Sequence, residues 1–167
     1  MAVSVELVRT LRDQTGAGVM ECKQALESTG GDLEKAIEAL REKGLASAAK
    51  RVGRDTKQGV IETYVHTGGR FGAIIELGCE TDFVARTDEF QKLAYDIAMQ
   101  VAAMGPVYID EADIEEGETR PPAEISLMQQ SFIKNSSTSV GEMVGGLAAK
   151  VGENIRVVRF KRLEVGE

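Results

Sequence analysis

A short segment in the middle of the chain combines two carboxylates with an aromatic ring. Residues 80–85, with the sequence ETDFVA, lie between an apolar, β-branched run and a strongly amphipathic run. Glu80 and Asp82 could serve as a carboxylate pair in acid–base chemistry. Phe83 could instead enter an apolar slot on another protein, because an aromatic ring buries a large apolar area. The segment is therefore a candidate for either a catalytic site or a protein-binding wedge.

The rest of the sequence gives catalysis little support. Glu80 and Asp82 have no neighbouring His, Lys or metal ligand, and the single histidine, His66, has no partner at metal-ligand spacing. Phosphate-binding glycine motifs and the nucleophile elbow are absent, and the acids at 110–118 lack the spacing of a calcium loop. We therefore expect no covalent chemistry, no metal site and no cofactor. A small hydrolase that uses Glu80 and Asp82 is the alternative.

Composition narrows the class of partner. The 167 residues carry a net charge of -7, whereas proteins that bind nucleic acid usually present a basic field to the phosphates. The longest apolar runs are too short to cross a membrane. Two cysteines without a paired framework, and no signal peptide at the N-terminus, indicate a reducing compartment. We expect a cytoplasmic protein that binds neither nucleic acid nor membranes directly.

The first part of the chain is predicted to be a three-helix domain over residues 1–44. Ser4 and Asp32 are suitable N-caps for the first and third helices, and glycines at 16–18 separate the first helix from the second. The second helix is predicted to carry Val19, Cys22 and Leu26 on one face. Gly44 is predicted to end the third helix. Three-helix domains of this size usually dock on partners. Residues 45–58 are predicted to form a basic linker helix.

The remaining residues, 59–167, are predicted to form an α+β core domain of antiparallel strands packed with helices. Strands over 60–66 and 71–79 with a glycine turn between them indicate a hairpin. An amphipathic helix begins at Thr87 or Asp88 and ends at Gly105. A capping box formed by Ser139 and Glu142 starts another helix that ends at Gly152. A last strand over 154–165 is predicted to alternate regularly, with Ile155, Val157, Arg159 and Lys161 on one face.

Several long motifs, in order along the chain, resemble those of the elongation factor Ts family. They are LRDQTGAGVMECKQAL at 11–26, GDLEKA at 31–36, ETDFVA at 80–85, QSFIK at 130–134 and GENI at 152–155. The resemblance implies a guanine nucleotide exchange factor for elongation factor Tu. It also implies that residues 1–44 form a ubiquitin-associated-like domain that docks on the G domain of that partner.

The resemblance assigns two sets of contact residues. The docking positions are Arg12, Thr15, Gly16, Ala17, Gly18, Val19 and Met20. Val19 stands where the family pattern leads us to expect Met, which keeps an apolar contact but shortens its reach. The second set enters the partner near its magnesium and GDP site: Thr81, Asp82, Phe83 and Val84. Phe83 would wedge between partner helices, and Asp82 would assist near the magnesium ion.

The length of the chain resembles the short members of the family, which carry one core subdomain. Residues 107–125 stand in place of a helical insertion, and the resemblance implies a homodimer formed through the core domain. The last strand, with Val157 and Val158, is a candidate pairing edge. A pure adaptor, which binds another protein without affecting nucleotide exchange, remains the alternative from the binding-protein class.

Overall fold

The computed structural model describes residues 3–167. Its first part consists of three helices: α1 (Val5–Thr15), α2 (Val19–Ser28) and α3 (Leu33–Ala49). Both predicted N-caps are confirmed, since Ser4 accepts a hydrogen bond from the Leu7 amide and Asp32 accepts one from the Lys35 amide. The helices enclose a small core, whose fully or nearly buried members are Leu11, Cys22, Ala25, Leu26 and Ala36.

The predicted helix end at Gly44 is wrong. Helix α3 continues through Gly44 to Ala49, and residues 50–57 form turns and irregular backbone instead of a linker helix. A Cβ atom at Gly44 would lie 2.9 Å from the Cβ of Ala149, so glycine permits two helices to approach closely here. The division of the chain into domains at 1–44, 45–58 and 59–167 stays a prediction.

The strands of the second part are β1 (Gln58–Val65), β2 (Phe71–Cys79), β3 (Ser131–Phe132), β4 (Asn135–Ser139) and β5 (Ile155–Glu164). The predicted hairpin is confirmed: β1 pairs with β2 in antiparallel register, and Gly68 and Gly69 have positive φ in the turn. The larger sheet has the order β1-β2-β5, so the first and last strands form its edges. β3 and β4 form a separate two-stranded ribbon.

The regular alternation predicted for the last strand is wrong beyond Val157. Leu77 pairs with Val157 whereas the preceding Glu76 pairs with Arg159, so Val158 is an extra residue in β5. Such a bulge reverses which side chains face the core. Ile155 and Val157 are buried before it, and Phe160 packs against the core after it, while Arg159 is exposed.

The helices of the second part are α4 (Asp82–Ala85), α5 (Asp88–Met104), α6 (Pro122–Ile125) and α7 (Val140–Val151). Three of the predicted helix ends are confirmed: Thr87 caps α5, Gly105 ends it in the left-handed conformation, and Gly152 ends α7 in the same way. The predicted capping box of Ser139 and Glu142 is also present. Helix α5 packs on β1 and β2, and its side chains form much of the main core.

The fold class is confirmed as α+β, with helices and an antiparallel sheet in one chain. Residues 110–118, whose acids lack the spacing of a calcium loop, contain a single 3-10 turn at Glu111–Asp113 and are mostly exposed. Within residues 3–167, no helix combines the length and apolarity needed to span a membrane.

Candidate functional site

The segment at 80–85 lies between the end of β2 and the start of α5. The sequence predicts a loop here, and that prediction is wrong for residues 82–85, which form the single helical turn α4. Thr81 adopts extended backbone and its hydroxyl caps the turn by accepting a hydrogen bond from the Val84 amide. Polar capping satisfies backbone donors that a short helix would otherwise leave without partners.

The four residues of α4 divide sharply between core and solvent. Val84 and Ala85 are buried against the main core, whereas Phe83 is 79% exposed. An aromatic ring this exposed gains much free energy when it enters an apolar slot. We call residues 81–84 the wedge.

A carboxylate from outside the segment holds the backbone that leads into the wedge. Glu153 accepts hydrogen bonds from the amides of Glu80 (3.1 Å) and Thr81 (3.0 Å) through one oxygen. Its other oxygen accepts a 2.6 Å bond from the Thr81 hydroxyl. Hydrogen bonds to an ionised carboxylate are about twice as strong as those between neutral groups.

Glu80 also forms a hydrogen bond to the segment that contains Glu153. Its carboxylate accepts a 2.7 Å bond from the backbone amide of Asn154 and lies 3.5 Å from the Arg54 guanidinium. The Asn154 side chain in turn donates to the Arg54 carbonyl at 2.9 Å. We call Glu80, Thr81, Glu153 and Asn154 the clasp. Glu80 thus serves as a structural acceptor.

Asp82 is engaged separately from Glu80. Its carboxylate lies 3.0 Å from the guanidinium of Arg86, one turn along the chain, and both side chains are substantially exposed. The two acids therefore have different partners, which argues against their use as a cooperating acid–base pair. No group of His, Cys, Asp and Glu side chains within residues 3–167 is arranged to hold a metal ion.

Cys79, beside the clasp, is inert rather than nucleophilic. Its side chain is fully buried, and burial raises the pKa of the thiol to about 11. The thiol also donates a hydrogen bond to the Thr81 carbonyl at 3.1 Å. Since the thiolate is the reactive form, a thiol in this state contributes packing and not chemistry.

A second surface is formed by the turn between α1 and α2, residues 15–20, which we call the docking turn. Gly16 ends α1 with a φ of 70°, a conformation that glycine adopts without steric cost. The Thr15 hydroxyl donates to the Leu11 carbonyl at 2.7 Å and accepts from the Ala17 amide at 3.3 Å. The turn is therefore held by its own hydrogen bonds.

The docking turn presents apolar side chains to solvent. Val19 is 52% exposed and Met20 is 63% exposed, while Arg12 on the last turn of α1 is also exposed. Val19 is thus exposed, as a docking residue must be, whereas Cys22 and Leu26, predicted to share its helix face, are buried. Exposed apolar side chains beside a rigid turn are suited to contact with another protein.

The structure places the predicted residues in two surfaces, one on each part of the chain. Sequence reasoning did not identify Glu153 and Asn154 as supports of the wedge. The GENI motif at 152–155 was the available signal, but local pattern does not show that Glu153 reaches a segment 72 residues earlier.

The fold and these surfaces define a two-part α+β protein with an exposed apolar surface on each part. A family model described as Elongation factor TS matches residues 6–120, which is more than half of the chain. The chain belongs to the elongation factor Ts family, whose members act in translation elongation.

The relatives named below match over 90% or more of their lengths. Elongation factor Ts of Thermotoga petrophila is 45% identical, with 100% of this chain and 98% of the relative covered. The proteins of the same name from Carboxydothermus hydrogenoformans and a Synechococcus strain are 44% and 47% identical, each with 99% of this chain and 90% of the relative covered. The first alignment spans 195 positions, so this relative contains residues that the 167-residue chain lacks.

Proposed function

We propose that this protein is a guanine nucleotide exchange factor that binds GDP-bound elongation factor Tu and promotes the release of GDP. The observation that carries this proposal is Phe83, 79% exposed on a turn that is capped by Thr81 and anchored by buried Val84 and Ala85. Family membership supports elongation factor Tu as the partner, and we propose that the protein acts with it in the cytoplasm.

The docking turn supplies the first contact. Val19 and Met20 pack on the G domain of the partner, while Arg12 adds a charged contact at the margin. Interfaces gain most of their binding energy from a few well-packed residues, and we assign that part to this contact, which sets the affinity.

The wedge then acts on the nucleotide site. The Phe83 ring enters between partner helices, with Thr81 and Val84 at its flanks, and the Asp82 carboxylate reaches the region of the magnesium ion. Displacement of those helices disturbs the magnesium and phosphate contacts, GDP leaves, and GTP can bind. Linkage requires that bound nucleotide weakens the binding of this protein by the same factor.

The protein forms no covalent bond in this scheme, so we propose that it is not an enzyme and needs no cofactor. Both carboxylates of the segment have structural or local partners, which supports this proposal over the hydrolase alternative. Its net charge of -7 supports recognition of a protein and not of nucleic acid directly.

We further propose that two copies pair through the outer face of the larger sheet, opposite α5. Val65 and Leu163 both lie in register with Gly72, and Ile74 pairs with Thr63, so their side chains share one face. Val65, Ile74 and Leu163 are 67%, 44% and 68% exposed. Of the two valines in the predicted pairing edge, Val157 is buried and Val158 is half-buried, so neither side chain adds to this exposed face.

Equilibrium sedimentation tests the homodimer. The wild-type protein is expected at twice the monomer mass, and Ile74→Asp is expected at the monomer mass because it places a charge in the apolar interface. A monomeric wild-type protein would refute the pairing without affecting the exchange proposal.

The exchange proposal is tested by loading elongation factor Tu with fluorescent GDP and recording its release with and without this protein. Acceleration that saturates with protein concentration is expected. Absence of acceleration, with a complex indifferent to GDP and magnesium, would refute exchange and favour the adaptor alternative.

A further inference from the structure

Helix α3 belongs to both parts of the molecule. Ala36 lies in the small core of the first part, whereas Ala48 lies in the main core of the second. One continuous helix therefore joins the module that carries the docking turn to the domain that carries the wedge.

The second half of α3 packs closely on α7. Gly44 faces Ala149 so tightly that a Cβ atom on Gly44 would lie 2.9 Å from the Ala149 Cβ. One position along α3, a Cδ atom of Leu45 lies 2.9 Å from where a Cβ atom of Gly145 would be. The Arg41 guanidinium also lies 3.7 Å from the Glu142 carboxylate, across the same contact.

The last turn of α7 lies beside both surfaces. The Lys150 side chain passes over the docking turn, where a Cβ atom on Gly16 would lie 3.0 Å from its Cε, and its ammonium pairs with Glu89 at the start of α5. Two residues beyond the helix, Glu153 holds the clasp that supports the wedge.

We propose that α7 fixes the spacing between the docking turn and the wedge, and that Gly44 and Glu153 are positioning residues for exchange. The inference rests on the proposed exchange function. A docked protein can force a ring between partner helices only if the ring is held at a set distance from the docked surface. A flexible connection would let the module bind while the ring stays outside its slot.

Gly44→Ala tests the contact between α3 and α7. Alanine forms helices more readily than glycine, so the substitution would be favourable at an open helical position. Here it must push α3 and α7 apart, because both atoms of the 2.9 Å contact are rigid Cβ atoms. We expect the maximal rate of GDP release to fall about tenfold, since small misplacements are costly to positioned groups. The protein concentration at half-maximal rate should change little.

Two further variants make this test specific. Gly146→Ala is the matched control, because it makes the same substitution within α7 at a position with open space around the added methyl group. The double variant Gly44→Ala/Ala149→Gly moves the methyl group from one helix to the other, so it should restore the maximal rate. If the maximal rates of Gly44→Ala and Gly146→Ala are equal, the assignment of Gly44 is wrong.

Glu153→Gln tests the clasp independently, even if Gly44→Ala fails to fold. The amide oxygen of Gln can keep the two backbone bonds while its NH2 group donates to the Thr81 hydroxyl, so the substitution removes the negative charge that strengthens all three bonds. We expect a maximal rate several-fold lower with an unchanged half-maximal concentration. Glu115→Gln, at an exposed position of the acidic loop, is the charge-matched control.

The outcomes separate this inference from the proposed function. A wild-type protein that does not accelerate GDP release refutes both. Acceleration by the wild type together with unaltered maximal rates for Gly44→Ala and Glu153→Gln refutes the positioning role alone. A higher half-maximal concentration at an unchanged maximal rate also refutes the positioning role, because these residues would then contribute to docking.

Discussion

The docking turn and the wedge both expose apolar side chains, but the structures that support those side chains differ. Val19 and Met20 lie beside a turn on a module with five buried core residues. Phe83 lies on a single helical turn that buried Val84 and Ala85 anchor, and a clasp from the end of α7 holds the backbone before it. A small module is suited to supply affinity, whereas a ring on a fixed support is suited to displace atoms of a partner.

This difference predicts that the two surfaces control different quantities. Loss of docking contacts should raise the concentration needed for half-maximal exchange, since those contacts stabilise all bound states similarly. Loss of the ring should lower the maximal rate, because its contact is made fully only when the nucleotide site is disturbed.

Phe83→Ala is expected to have the largest effect. A buried aromatic anchor is worth about 2 kcal/mol or more, so the maximal rate of GDP release should fall by roughly 30-fold or more. The free energy of unfolding should change little because the ring is exposed. Ile133→Ala, which shortens another exposed apolar side chain, is the control and should leave the rate unchanged.

The double variant Val19→Ser/Met20→Ser should have the next largest effect. Loss of two apolar contacts of about 1 kcal/mol each raises the half-maximal concentration by roughly 30-fold at unchanged maximal rate. A concentration series of stimulated GDP release gives both quantities. A fall in the maximal rate at saturating protein would show that the docking turn also drives release.

Thr81→Val should moderately lower both the free energy of unfolding and the maximal rate of GDP release. The substitution removes the cap on α4 and the 2.6 Å bond to Glu153 at nearly constant volume. Loss of a helix cap costs about 1 kcal/mol, and urea denaturation would measure it as a lower free energy of unfolding. An unchanged free energy of unfolding would mean that Glu153 alone holds the turn.

Asp82→Asn should have the smallest effect. The pair with Arg86 is exposed, so its loss should lower the free energy of unfolding by less than about 0.5 kcal/mol. Exchange should slow only a few-fold, in keeping with an assisting role near the magnesium ion. Hydrolytic activity that disappears in this variant would instead support the hydrolase alternative.

Features that depend on local sequence were predictable. The strand over Phe71–Cys79 and the caps at Thr87 and Ser139 agree with their predictions, because propensity and capping act within a few residues. The exposed Phe83 also followed from its place in a polar segment, although the helical turn beneath it did not.

Features that depend on distant partners were not predictable in the same way. The sequence predicts a helix end at Gly44, since no local signal shows that this glycine faces Ala149 across a helix contact. The bulge at Val158 needs the register with β2, and the clasp needs Glu153 next to Thr81. In each case the conformation is decided by a contact between residues far apart in the sequence.

The most direct test of the division between affinity and displacement measures binding and release together for Phe83→Ala. Its affinity for GDP-bound elongation factor Tu should remain near that of the wild type, while its maximal rate of GDP release falls by roughly 30-fold or more. If Phe83→Ala abolishes binding as completely as removal of residues 1–44 does, Phe83 is a docking residue and the account is contradicted.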